Sequence, residues 1–132
     1  MSPQRAGDWM RQAEEDLRAA ETLYSGGNYA WCCFACQQVA EKSLKSILEY
    51  LGRPSRGHNL VRLLKEIEKH VSVPDSVRRA CFVLNRYYVA TRYPNAFSSG
   101  APVEMFDSKD AEEALNYARE VLNYAKSILG YT

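Results

Sequence analysis

The sequence predicts an all-α protein, an up-and-down bundle of four long helices plus one short helix. Three observations carry that prediction. Apolar residues recur at spacings of three and four in five separate segments. No segment shows the strict alternation of a half-buried strand, and turns rich in Gly, Pro, Ser and Asn fall between the periodic stretches. At 132 residues and 46% hydrophobic composition, the chain is long enough for one domain with a real core, residues 1–132, and too short for two.

The first helix is expected from about Pro3 or Asp8 to Tyr24, with Ser2 or Asp8 able to cap it and Pro3 suited to a first turn. Trp9, Ala13, Leu17, Ala20 and Tyr24 share one face, and Arg11 with Glu15 and Glu14 with Arg18 are placed to pair on the other. Ser25-Gly26-Gly27-Asn28 breaks the helix. Glycine supplies the left-handed turn and Asn28 can cap the second helix, so the first two helices form an antiparallel hairpin.

The second helix, from about Asn28 to Leu51, is the one the rest surrounds. Cys33, Cys36, Ala40, Leu44, Ile47 and Leu51 make its main stripe, while Trp31, Phe34 and Val39 widen the apolar surface of its first half. Glu41, Lys42, Lys45 and Glu49 come later, with Glu41 and Lys45 expected to pair on the wet side. GRPSRGHNL then turns the chain into a short third helix, NLVRLLKEIEKHV, whose Leu60, Leu63, Leu64, Ile67 and Val71 face inward. The fourth helix is expected from about Asp75 to Arg92, with Val77, Cys81, Leu84, Tyr88 and Thr91 on its core face. RYPNAFSSGAPVEMFDS reads as an ordered, irregular loop, a length that marks either function or a misread element. The fifth helix, from about Lys109 to Leu129, carries Ala111, Ala114, Leu115, Ala118, Val121, Leu122, Ala125 and Ile128 inward, and Gly130 ends it.

Seventeen Lys and Arg against sixteen Asp and Glu leave a formal charge of +1, so no global field attracts nucleic acid or an acidic membrane, and such a partner needs a local patch. No run of about 18 apolar residues is present to span a bilayer, and the start of the chain lacks a signal-peptide core; the expected location is the cytoplasm, with no membrane partner. Cys32, Cys33, Cys36 and Cys81 read as reduced core residues. The C-x-x-C of Cys33 and Cys36 follows no strand, as a redox motif requires, and His58 and His70 lack the spacing of a second zinc pair. No metal, disulfide or cofactor is expected, and the absence of any Glu-x-x-His excludes the di-iron carboxylate bundles.

Two surfaces carry candidate chemistry. Arg78, Asn85 and Arg92 repeat at seven along one edge of the fourth helix beside Phe82 and Val89; guanidinium groups bind phosphate in bidentate fashion, and Tyr87, Tyr88 and Tyr93 offer rings on which a base could stack. Tyr88, on the core face, is read as structural. Arg53, Arg56, His58, Arg62 and Lys65 make a second, basic cluster, a possible phosphate patch, with His58 read as a cap or packing residue of the third helix. Phe82 and Val89 lack an evident partner within the chain, which predicts a homodimer or a tight heteromeric complex.

WMRQAEEDLRAAETLYSGGNYAWCCFACQQVAEKSLKSIL, GHNLVRLL, LNRYYVATRYPNAF and DAEEALNYAREVL, in that order, resemble the HEPN family over nearly the whole chain. QQVAEKSLK, GHNL and TRYPNA are the most specific pieces. The resemblance implies a helical bundle, often dimeric, frequently paired with a minimal nucleotidyltransferase in toxin-antitoxin-like systems, and linked to nucleotide binding or RNA cleavage. It also implies a site. Ribonuclease members carry Arg, four to six residues, His, and commonly Tyr two residues later, and on this chain Asn85 stands where the His would be, Tyr87 at the Tyr, and Arg78 or Arg79 at the Arg. An amide cannot exchange a proton near neutral pH as imidazole does. Arg53 and His58 match the spacing but lie in a turn. The resemblance therefore implies a non-catalytic nucleotide- or RNA-binding and dimerisation module, with Arg78, Asn85, Tyr87, Arg92 and Tyr93 as its binding residues. The alternative is a ribonuclease toxin with an altered motif.

Overall fold

Three segments bury enough small apolar surface to form a bundle among themselves: α1 (Pro3–Ser25), α2 (Tyr29–Tyr50) and α7 (Ser108–Leu129). The computed structural model describes residues 3–131. Ala6, Ala13 and Ala20 of α1 and Ala111, Ala114, Ala118 and Ala125 of α7 are all buried, and small side chains at these contacts let the helix backbones approach closely. The remaining elements are α3 (Leu60–Glu68), α4 (Asp75–Leu84), α5 (Tyr87–Ala90), a 3₁₀ turn at Pro94–Ala96 and α6 (Pro102–Met105). All elements among the described residues are helical, as expected.

The α1–α2 hairpin closes through Gly27, at φ 77°, with Gly27 N–H donating to Tyr24 C=O and Asn28 N–H to Leu23 C=O. Asn28 occupies the cap position of α2 but its side chain makes no capping bond. At the other end of α1, a cap by Ser2 lies outside the described residues. Asp8 does not cap; it sits inside α1 and binds Arg5 and Arg11. The expected pairs of Arg11 with Glu15 and Glu14 with Arg18 are replaced by Arg11 with Asp8 and Arg18 with Glu15, each three residues apart, and by Glu14 with Lys126 of α7, which lies alongside α1.

Helix α2 is the centre of the bundle. Fourteen of its 22 residues are buried, against seven of the 22 in α7, so neighbours cover it on several sides. Glu41 and Lys45 do pair, at 3.3 Å, but inside the protein, at 5% and 10% side-chain exposure, and not on a wet face. Trp9 of α1 supplies the reason: its ring lies 5.2 Å from the Lys45 ammonium and covers that side of α2. Trp31, read as part of the packed surface, is half exposed.

The expected fourth helix is interrupted. α4 ends at Leu84, and the ladder tightens at Asn85–Arg86, where Arg86 N–H bonds Val83 C=O, before α5 adds one more turn. The long loop after it holds two short helical turns. Its aromatics anchor it: Tyr87 meets Phe106 edge to face at 5.6 Å, and Phe106 meets Phe97 at 6.3 Å. Asp107 caps α7 by accepting from Asp110 N–H, and Gly130, at φ 82°, ends it as expected.

The four cysteines lie buried in this core. Burial raises the Cys33 thiol and pushes Cys81 up to about 12, so both stay protonated and pack as small apolar groups. Among the described residues no cluster of three or more His, Cys, Asp or Glu could hold a metal, and no helix is long and apolar enough to cross a membrane.

Ile47, fully buried in α2, and Phe82, half exposed on α4, test this arrangement. Ile47→Ala should lower the stability measured by urea unfolding by about 2–5 kcal/mol, and Phe82→Ala by less than about 1 kcal/mol in dilute protein.

Candidate functional site

The N-terminus of α3 is built by two asparagines. Asn59 Oδ1 accepts from Val61 N–H at 3.0 Å and from Arg62 N–H at 3.2 Å, while Asn85 Oδ1 accepts from Leu60 N–H at 2.8 Å. Asn85 Nδ2 also donates to Asn59 Oδ1 at 3.3 Å. Three first-turn N–H groups are thereby satisfied, and Asn85 is committed to holding α3 against the end of α4. His58 is not the cap.

The residues of the Arg–Asn–Tyr motif point to different places. Arg78 is held by Glu68 at 2.7 Å and by Asp75, contacts that push its guanidinium pKa up, the Glu68 hydrogen bond first. Arg79 is exposed and makes no ion pair among the described residues. Tyr87 turns toward α7 and Phe106; burial, and then the nearby Cys33, Asp110 and Glu113, raise its phenol pKa, so it remains a neutral phenol. The stripe of Arg78, Asn85 and Arg92 is therefore three separate contacts, since the α4–α5 break and the demands of α3 divide it.

Arg92 sits at the centre of an aromatic row instead. Its guanidinium carbon lies 4.2 Å from the Phe34 centroid, 4.8 Å from Tyr88 and 5.1 Å from Tyr93. Nε donates to the Tyr88 carbonyl at 2.9 Å, as does Nη2, whereas Nη1 makes neither bond. On one side the row continues to Trp31, edge-on to Phe34 at 6.0 Å. On the other, Tyr88 stacks on His58 at 4.5 Å and 16°. Trp31 and Tyr93 are each about half exposed, at 51% and 49%, so the row is open to solvent. Tyr88, read as a core residue, is half-buried within it.

His58 ends the row with a carboxylate behind it. Its Nδ1 lies 2.9 Å from Glu41 Oε1, its backbone carbonyl accepts from buried Gln37, and its side chain is 53% exposed. Arg53, expected beside it, instead binds Glu66 at 3.2 Å. Arg56, Arg62 and Lys65, together with Arg79 and Arg86, form no ion pair among the described residues. Sequence reasoning placed none of Trp31, Phe34, Glu41 and Arg86 in the site. The one available signal for Glu41 was its place on a helix apolar on several sides, where a carboxylate must be matched.

The HEPN domain model matches residues 6–128. The chain is 28% identical over 119 residues to a Methanocaldococcus jannaschii protein named Putative toxin MJ1304, covering 83% of this chain and 78% of that one. The crystal structure of TT1696 from Thermus thermophilus superposes with a TM-score of 0.91 at 39% identity, covering 94% of this chain and 98% of the other. That of ST0689, described as an archaeal HEPN homologue, gives a TM-score of 0.80 at 35% identity, with 94% and 97% covered.

If Asn85 serves α3 rather than a ligand, Asn85→Ala should destabilise the fold by about 1–3 kcal/mol, since it strands the Leu60 N–H. Asn85→Asp, which keeps the acceptor, should lose clearly less. Equal melting temperatures for Asn85→Ala and wild type would contradict the assignment.

Proposed function

The chain belongs to the HEPN domain family, and from that premise we propose that it is a single-domain, non-catalytic binding module of a toxin-antitoxin-like system, holding nucleotide or single-stranded RNA along the Trp31–Phe34–Arg92–Tyr88–His58 row. The observation that carries this reading is the position of Arg92, wedged among three rings and open to solvent at their edge. Stacked aromatic rings interleaved with cations are how proteins hold single strands without reading sequence. Tyr93 extends the row, and Arg56, Arg62, Lys65, Arg79 and Arg86, which form no ion pair among the described residues, supply the positive potential a phosphate chain needs.

Similarity to a protein named as a putative toxin supports the toxin-antitoxin setting. Within it, Phe82 and Val89, exposed at 51% and 49%, support a homodimer or a tight contact with a minimal nucleotidyltransferase in the cytoplasm. The scattering of Arg78, Asn85 and Tyr87 supports the non-catalytic reading. One observation favours a second reading, a ribonuclease using other residues: His58 is an exposed imidazole oriented by a buried carboxylate, the arrangement of a general base.

Arg92→Met keeps an apolar stem against Phe34 and removes the cation. It should weaken binding of a fluorescein-labelled ten-nucleotide RNA by about 1.5–3 kcal/mol in fluorescence anisotropy, and unchanged affinity in folded protein would refute the row as the binding surface. RNA cleavage by the wild type that disappears in His58→Gln would establish the second reading instead. In light scattering, Phe82→Glu combined with Val89→Glu should convert a dimer to a monomer.

A further inference from the structure

A cleft of about 270 Å3 lies beside the end of the aromatic row, lined by His58, Asn59, Asn85, Arg86, Tyr88 and Val89. The imidazole in it is fixed on two sides. Its ring stacks on Tyr88, and its Nδ1 bonds Glu41, whose other oxygen pairs with Lys45. An ionised carboxylate only accepts hydrogen bonds, so Nδ1 carries the proton of that bond and Nε2 is the nitrogen whose state changes. Neutral His58 can only accept at Nε2; the imidazolium donates there.

The titratable and charged groups around the ring are Glu41 and, behind it, Lys45 from α2, with Tyr88 stacked on it and Arg86 lining the same cleft from the α4–α5 segment. Arg86 lies over the Phe82 ring at 5.1 Å and has no carboxylate partner among the described residues. The cleft is thus walled by a cation, two asparagines and a switchable donor, with Glu41 engaged beneath.

We propose that His58 and Arg86 form a proton-gated phosphate subsite, in which the imidazolium Nε2–H and the guanidinium hold a phosphate oxygen of a nucleotide or RNA strand and Glu41 positions the ring. The inference rests on the binding role proposed above and names one phosphate contact of it and its regulation. The sign follows from the chemistry. Protonation adds a donor and a positive charge, so affinity rises as pH falls through the imidazole's titration and drops above it. A general base at the same place requires the neutral ring and gives the opposite slope for cleavage.

The test uses the full chain with two probes, inorganic phosphate and the labelled ten-nucleotide RNA. Wild type should bind the RNA about tenfold more tightly at pH 6 than at pH 8 in anisotropy, a charge-assisted hydrogen bond being of that size. His58→Gln and Arg86→Ala, with folding checked by circular dichroism, should flatten that dependence and weaken binding at pH 6. Glu41→Gln should shift the midpoint to lower pH, an effect that a purely structural role for Glu41 does not produce. In NMR, with His70→Asn to isolate the signal, inorganic phosphate should raise the pH at which His58 titrates. RNA binding that is equal at both pH values, or equally pH-dependent in His58→Gln, overturns the subsite while leaving the binding role intact. No RNA binding at either pH overturns the binding role; the subsite then stands or falls on the phosphate-induced shift of His58, and an unmoved titration refutes it.

Discussion

Surrounding a helix forces each polar group on it to find its partner inside the protein, and α2 is where that constraint shapes this molecule. Ser43 and Ser46 meet it locally by donating to the Val39 and Ser43 carbonyls. Gln37 and Glu41 reach beyond α2 as well. Gln37 reaches the carbonyl of His58, and Glu41 takes Lys45 on one oxygen and the His58 imidazole on the other. The end of the α2–α3 loop is therefore drawn onto α2 by groups that would be costly to leave unmatched. The place of His58 on the surface follows from what is buried beneath it.

The same logic runs through the start of α3. A helix of nine residues gains little from propensity alone, and its orphan N–H groups must be met by neighbours. Asn59 meets two and Asn85 a third. Asn85 can do this only at the end of α4, where the ladder tightens before α5. That break leaves Tyr88 stacked on His58 and Arg92 folded back over Tyr88. Asn85 is thus a structural strut, and the aromatic row exists partly because of it.

The helices and the core were legible in the sequence because both depend on apolar spacing, which is local. Gly27 and Gly130 took the left-handed conformations that their places after α1 and α7 require. What was not legible depended on contacts between segments far apart in the chain. Spacing alone put Glu41 and Lys45 on a polar face; Trp9 and His58, 32 and 17 residues from Glu41, decide that they are buried. A repeat of seven made Arg78, Asn85 and Arg92 look like one edge, but Glu68, α3 and Phe34 each claim one of them. Aromatic rows of this kind leave no signature in sequence, because Trp31, Phe34, His58, Tyr88 and Arg92 come from three segments.

The near-neutral net charge conceals a segregation that only the pairing reveals. Most cations on α1, α2 and α7 are matched: Lys42 by Asp16, Lys45 by Glu41, Arg119 by Glu21, Lys126 by Glu14. Arg56, Arg62, Lys65, Arg79 and Arg86, all between the α2–α3 loop and α5, have no acidic partner among the described residues, while Glu112, Glu113 and Glu120 on α7 lack cations. A charge count over the chain averages these two sets to nearly nothing, yet exposed charges more than about 10 Å apart are largely screened from each other at physiological salt. The formal total therefore says little about the field at any one face of the molecule. Local pairing, more than composition, is what decides whether a chain with a formal charge of +1 can hold an anion.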